Sequence, residues 1–196
     1  METDPQALAV LDFWFLPAGA DGHGAARAEW FRKDARFDQQ IRARFGELIA
    51  RAVAGELRAW DGAGPAAALA RVLLLDQFTR NAHRDTPAAF GGDALALEAA
   101  RGLVDSGAHL ALPALWRAFV YMPFEHAEDA AMQARAVALF EALEGEAGGF
   151  AGMLDYARRH REVIARFGRF PHRNRILGRT STPAERAFLS QPGSGF

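Results

Sequence analysis

The prolines say most about how this chain can fold. Asp4-Pro5, Gly64-Pro65, Thr86-Pro87, Leu112-Pro113 and Thr182-Pro183 each stand ahead of an alanine- and leucine-rich stretch. A proline at the first helical position loses nothing, because its missing N–H would have no intrahelical partner there. Valine, isoleucine and threonine, which favour strands, are scarce. Thr182 followed by Glu185 has the spacing of a capping box. These signals predict helices at 5–15, 25–33, 35–54, 65–82, 87–105, 112–122, 124–144, 149–167 and 183–190, with Gly55 and Gly107 as C-terminal stops. No segment reads as a strand.

Periodicity supports the assignment. Phe37, Ile41, Phe45, Leu48, Ile49 and Ala52 recur on one helical face, and Phe150, Met153, Leu154, Ala157, Ile164 and Phe167 form a second stripe. Residues 66–75 are apolar all round except at Arg71, which predicts a central, buried helix. Trp14, Trp30, Trp60 and Trp116 read as core residues. A length of 196 residues suits one domain with a substantial core. There is no cysteine, so disulfides, thiolate metal sites and cysteine nucleophiles are excluded. The acidic N-terminus lacks the basic-then-apolar order of a signal peptide, and no apolar run approaches the ~20 residues of a membrane span. A cytoplasmic location is the expectation. The tail ends in Phe196, read as disordered or docked on the apolar surface.

Charge is distributed unevenly. Residues 158–179 hold eight arginines and one acid, Glu162, about +7 in a chain whose total is −1. Within them Arg166-Phe-Gly-Arg-Phe-Pro-His-Arg-Asn174 sets Arg169, His172, Arg173 and Asn174 between phenylalanines able to anchor a loop, with Arg179 beyond Gly178. Guanidinium groups bind carboxylate or phosphate in a bidentate fork, so the loop reads as an anion site or as a loop locked by local ion pairs. Arginine identity alone is weak support, because only Lys33 is a lysine against 22 arginines.

Other polar groups fall on apolar faces. Asp76 continues the inward face of Leu69, Val72 and Leu73, with Arg80 one turn on and Asn81 beside it. Asp76 and Arg80 read either as a structural ion pair or as an oriented acid and guanidinium lining a pocket. His160 lies on the second apolar stripe, as a core histidine or one aimed into a cavity. Glu125, Glu128 and Asp129 suit the start of a helix near Pro123, where a neutral His126 would serve as a general base. No nucleophile elbow, Walker loop or dinucleotide-binding glycine motif is present, and no histidine pair has metal-ligand spacing on one helix. No metal, cofactor, nucleic acid or membrane is expected.

Leu74-Leu-Asp-Gln-Phe-Thr-Arg-Asn81, Tyr121-Met-Pro-Phe-Glu-His-Ala-Glu-Asp129, the stretch 166–174 and Ile176-Leu-Gly-Arg-Thr-Ser-Thr182 resemble the bacterial "domain of unknown function 924" family. Thr79 stands where that pattern has proline, and Ala127 where it has serine. The resemblance implies an all-α, tetratricopeptide-like right-handed superhelix. It implies no activity and no catalytic assignments. Together the readings predict one all-α domain over residues 1–196, of eight or nine helices. The expected site binds a small anionic ligand through Arg80, Asn81, Arg169, His172, Arg173, Asn174 and Arg179, with His126, His160 and Asp76 as its acid–base groups. A groove for an acidic peptide, or a purely structural polar network, are the competing expectations.

Overall fold

Side chains that accept hydrogen bonds begin several of the helices in a computed structural model of the protein, which describes residues 3–195. The Asp4 carboxylate accepts from the N–H groups of Gln6 and Ala7 and starts α1 (Pro5–Phe15). Asp34 accepts from Arg36 and Phe37 and starts α2 (Ala35–Val53). Each bond satisfies an N–H that the helix itself leaves open. Phe196 lies outside the described residues.

The helices that follow are α3 (Pro65–Val72), α4 (Thr79–Ala82), α5 (Asp93–Asp105), α6 (Ala114–His126), α7 (Ala130–Ala147), α8 (Ala151–Phe167) and α9 (Pro183–Leu189). The all-α class holds, and no strand occurs among the described residues. No helix among them is long and apolar enough to cross a membrane. Two expected helices are shorter than read. Residues 25–33 contribute only a 3₁₀ turn at Ala28–Trp30, and 87–105 begins with a separate turn, Pro87–Phe90, before α5.

One unit comprises the residues up to Arg84 together with Ala88–Pro123. Its core is aromatic. Phe13 stacks on Phe37 at 5.2 Å, Trp14 stacks on Trp30 at 5.7 Å, and Phe78 and Phe119 meet Trp14 at 5.3 and 5.6 Å. Trp60 is buried as well, whereas Trp116 is half-buried and stacks on Phe15 at 4.7 Å. Of the apolar run 66–75, Ala66 is half-buried and the rest is buried as predicted, and burial continues to Thr79.

Between α3 and α4 the chain passes through a π-helical segment, Leu73–Phe78, in which the N–H of Thr79 reaches the carbonyl of Leu74. Such insertions relax the usual ladder, and here the Thr79 hydroxyl donates to the carbonyl of Leu75 at 2.7 Å. Gly92, ahead of α5, lies against that same carbonyl; a β-carbon there would sit 2.2 Å from it.

The other unit comprises Asp85–Pro87 and the residues from Phe124 onward. In it α7 and α8 pack together, and Val163, Ile164 and Phe170 form a small core flanked by Phe167 and Phe188. Gly168 ends α8 in the left-handed conformation, φ 69°, which needs glycine and turns the chain into the arginine-rich loop.

Candidate functional site

In the N-terminal unit the polar residues are held by protein groups. Asp76 is fully buried. Its Oδ1 lies 3.1 Å from Nη1 of Arg80, and its Oδ2 accepts from Nε2 of Gln77 at 2.6 Å. The Arg80 guanidinium also grips Asp93 through both terminal nitrogens, at 2.9 and 3.1 Å, and donates to the Asp76 carbonyl. Asn81 donates to Asp38 at 2.8 Å, a carboxylate that Arg84 also holds at 2.6 and 2.9 Å. Asp38, Gln77, Arg84 and Asp93 were not legible as partners in the sequence. The i,i+4 spacing announces Asp76–Arg80, and Gln77 reaches Asp76 from the next residue, whereas the pairs with Asp38 and Asp93 depend on how α2 and α5 lie against this helix.

The course of α6 corrects the reading of Pro123. No helix begins there. Pro123 lies inside α6, which runs on to His126. A proline inside a helix removes one hydrogen bond and costs about 3 kcal/mol in isolation. Residues 117–125 are all buried, and that burial outweighs the loss. His126 is therefore the last residue of a helix, at the negative end of its dipole, and the N-terminal argument for its neutrality falls. Glu125 does not cap a start either. Asp129 does, accepting from the N–H of Met132 at the head of α7. The side-chain amide of Gln133 closes the end of α6 by donating to the carbonyls of Glu125 and Ala127 at 2.5 and 2.8 Å.

This end of α6 brings Glu125 to α8. Nδ1 of His160 lies 3.0 Å from Oε1 of Glu125 and 2.9 Å from the carbonyl of Tyr156. Both side chains are almost fully buried, 6% and 7% exposed. A carbonyl only accepts, so Nδ1 carries the proton and a neutral ring keeps its lone pair on Nε2. The ring of His126 stands 6.2 Å from that of His160, centroid to centroid. Phe170 meets His160 edge-on at 5.2 Å, and Arg173 lies over the Phe170 ring at 4.5 Å. His172 stacks obliquely on Phe170 at 5.6 Å. Burial, reinforced by the neighbouring Arg173 and His160, lowers His172 to about 3, against a pull upward from Glu128, so its ring is neutral at pH 7. Among the described residues no three histidine or acidic side chains are placed to hold a metal ion.

The arginine-rich loop is pinned by acids from two other elements. Arg169 donates through Nε and Nη2 to the two oxygens of Glu185, at 2.7 and 2.9 Å. Arg179 does the same to Glu128, at 2.7 and 2.9 Å, and also donates to the Phe170 carbonyl. The Phe170 N–H donates to Glu128 at 2.8 Å. Burial pushes the Glu128 carboxyl up, but Arg179 and that N–H outweigh it and hold it below its ordinary range. Asn174 is buried and donates to Ser181 and Glu185 at 3.0 and 3.3 Å. Arg173, only 6% exposed, makes a cation–π contact with Phe170 and stands electrostatically beside Glu128 and His172. The structure thus gathers His160, His172 and Arg173 around Phe170, sets Glu125 and His126 beside His160, and turns the forks of Arg169 and Arg179 to protein carboxylates.

Glu185 is the keystone of the loop. It completes the capping box with Thr182, and the hydrogen bond from Arg169 lowers its carboxyl to about 2 from 4.5. A lowered carboxyl stabilises the fold above its unfolded value, and that contribution fades as pH falls from about 4.5 to about 2. Glu185 is 2% exposed, but Arg169 is 29% exposed, so solvent screens the pair. Glu185→Gln is expected to cost about 1–2 kcal/mol at pH 7 and to remove this acid dependence, read by urea denaturation at pH 7 and at pH 3. Equal stability of variant and wild type at pH 7 would remove Glu185 from this role.

A solved structure of a protein of unknown function, ATU0120 from Agrobacterium tumefaciens, is 41% identical to this chain. The match covers 94% of this chain and 97% of that one, with a TM-score of 0.81. No curated protein matches. A family model described as a bacterial protein of unknown function, DUF924, matches residues 10–193, and the chain belongs to that family.

Proposed function

We propose that the C-terminal unit carries a general acid–base site acting on a small anionic molecule, with hydrolysis as the reaction class. The observation behind it is the buried Glu125–His160 pair with a second imidazole, His126, 6.2 Å away. Carboxylate and carbonyl fix the His160 tautomer, so Nε2 is the atom that takes a proton from water or substrate. Glu125, 3.0 Å from Nδ1, faces the positive charge created by that transfer and acts as a positioning residue. His126 is the proton donor to the leaving group. Arg173 supplies positive charge for the anionic part of the substrate, and the neutral His172 adds a polar ring without adding charge. Arg169 and Arg179 serve as framework in this reading, since Glu185 and Glu128 occupy their forks. Asp76, Arg80 and Asn81 are likewise framework, with Gln77, Asp93 and Asp38 as their partners.

The test uses p-nitrophenyl phosphate and p-nitrophenyl acetate as probes of ester hydrolysis. Wild type is expected to hydrolyse the phosphate ester faster than the uncharged acetate ester, and His160→Asn to lower that rate about a hundredfold while keeping the helical circular-dichroism signal. Glu125→Gln is expected to displace the pH profile as well as the rate. Equal rates for wild type and His160→Asn, or no turnover of either ester by wild type, would end this reading.

A further inference from the structure

The last turn of α8 carries Arg166, which is exposed and has neither a hydrogen bond nor an acidic partner among the described residues. Its guanidinium lies over the rings of Phe167 and Phe188, at 4.7 and 5.9 Å. Stacking of this kind holds the flat group in place while its edge N–H donors stay available. A hollow of about 530 Å³ is bounded by Arg166, Phe167, Arg169, Thr182, Ala184 and Glu185. It shares no residue with the histidine cluster.

The hydrogen bonds around this hollow leave donors in surplus. Both oxygens of Glu185 are taken, Oε1 by Arg169 and Oε2 by Arg169, Asn174 and the Thr182 N–H. Arg169 uses Nε and Nη2 for Glu185 and the Thr180 carbonyl, and Nη1 makes no hydrogen bond among the described residues. The Thr182 hydroxyl oxygen accepts from the N–H of Glu185, so its proton is directed elsewhere. Two guanidinium groups against one carboxylate give the lining a net charge of +1. Its donors come from the end of α8, from the loop and from the residue ahead of α9. Donors from three separate segments can each meet a different oxygen of a phosphate, which offers more acceptors than a carboxylate. Phe167 and Ala184 add an apolar wall.

We infer that this hollow binds a phosphate group, with Arg166, Nη1 of Arg169 and the Thr182 hydroxyl as its donors and Phe167 as the wall for the organic part of a phosphate monoester. The site stands apart from the acid–base reading and does not rest on it.

Calorimetric titration at low ionic strength tests the assignment, with inorganic phosphate, phenyl phosphate and acetate as probes. Wild type is expected to bind phenyl phosphate more tightly than inorganic phosphate, and both more tightly than acetate. Arg166→Gln breaks no contact that holds the fold together beyond its ring stacking, and is expected to weaken phosphate binding about tenfold at an unchanged thermal midpoint. Arg166→Gln is expected to keep the wild-type rate of ester hydrolysis, which separates this hollow from the histidine site. The inference is overturned if wild type binds neither phosphate, if Arg166→Gln binds as well as wild type, if acetate matches phosphate, or if Arg166→Gln loses ester hydrolysis along with phosphate binding.

Discussion

Gly92→Ala is expected to destabilise the N-terminal unit by about 3 kcal/mol, the upper range for overpacking a core. The added β-carbon would stand 2.2 Å from the Leu75 carbonyl oxygen and 2.9 Å from its carbonyl carbon and α-carbon. All three atoms are backbone, in the middle of the buried π-helical segment, so no flexible side chain can move aside. Handedness plays no part, because Gly92 has φ −94°, open to any residue. The strain falls where Arg80 grips Asp93, the residue next to Gly92, so relief by displacing α5 would pull on that ion pair. Gly102→Ala, in the same helix, is the control. Its β-carbon would meet nothing within 4 Å, and replacing an exposed helical glycine by alanine stabilises by about 0.5–1 kcal/mol. Urea denaturation of both variants checks the pair. A loss below about 1 kcal/mol for Gly92→Ala would mean that the two backbones do not approach this closely.

Gly92 also marks where the sequence stops being legible. Leu73-Leu-Leu-Asp-Gln-Phe78 looks the same whether its hydrogen bonds follow α or π spacing, and the glycine that lets another backbone approach lies 17 residues beyond Leu75. Local signals did locate the helices, because capping and apolar period act within a few residues. α1 starts at Pro5, the Thr182–Glu185 capping box forms, and residues 67–75 of the apolar run are buried. Pro123 misled for the opposite reason. Its local preference is to start a helix, and the burial that carries α6 past it is tertiary. The candidate site divides the same way. The apolar stripe placed His160 on an inward face. Its partner Glu125 lies 35 residues earlier, and Glu128 pairs with Arg179 across 51 residues. A concentration of arginine is visible in a sequence, but the acids that answer it become visible only in the fold.

Acid is expected to weaken the fold in a window set by His172, which opens at pH 6.5, above the range in which carboxylates protonate. The ring has a value of about 3 in the folded protein against 6.5 when exposed, because burial and the nearby Arg173 both disfavour its charged form. The unfolded chain therefore binds a proton below pH 6.5 that the folded chain refuses. Protonation pulls the equilibrium toward the unfolded state, so stability falls steadily as pH drops from 6.5 toward 3. At pH 5 the loss relative to pH 7 amounts to about 2 kcal/mol, or roughly 1.4 for each unit below 6.5. Arg173, His160 and His126 reinforce this behaviour, and Glu128 opposes it. Glu185 adds little at pH 5, since its own window begins near 4.5. His172→Gln keeps a polar side chain that does not titrate, and is expected to lose less than half as much stability as wild type between pH 7 and pH 5. Urea denaturation of both proteins at the two pH values provides the measurement, and the difference between them isolates His172 from every other titrating group. Parallel losses in variant and wild type would show that this ring accepts its proton inside the fold, and the neutral imidazole beside Arg173 would have to be given up.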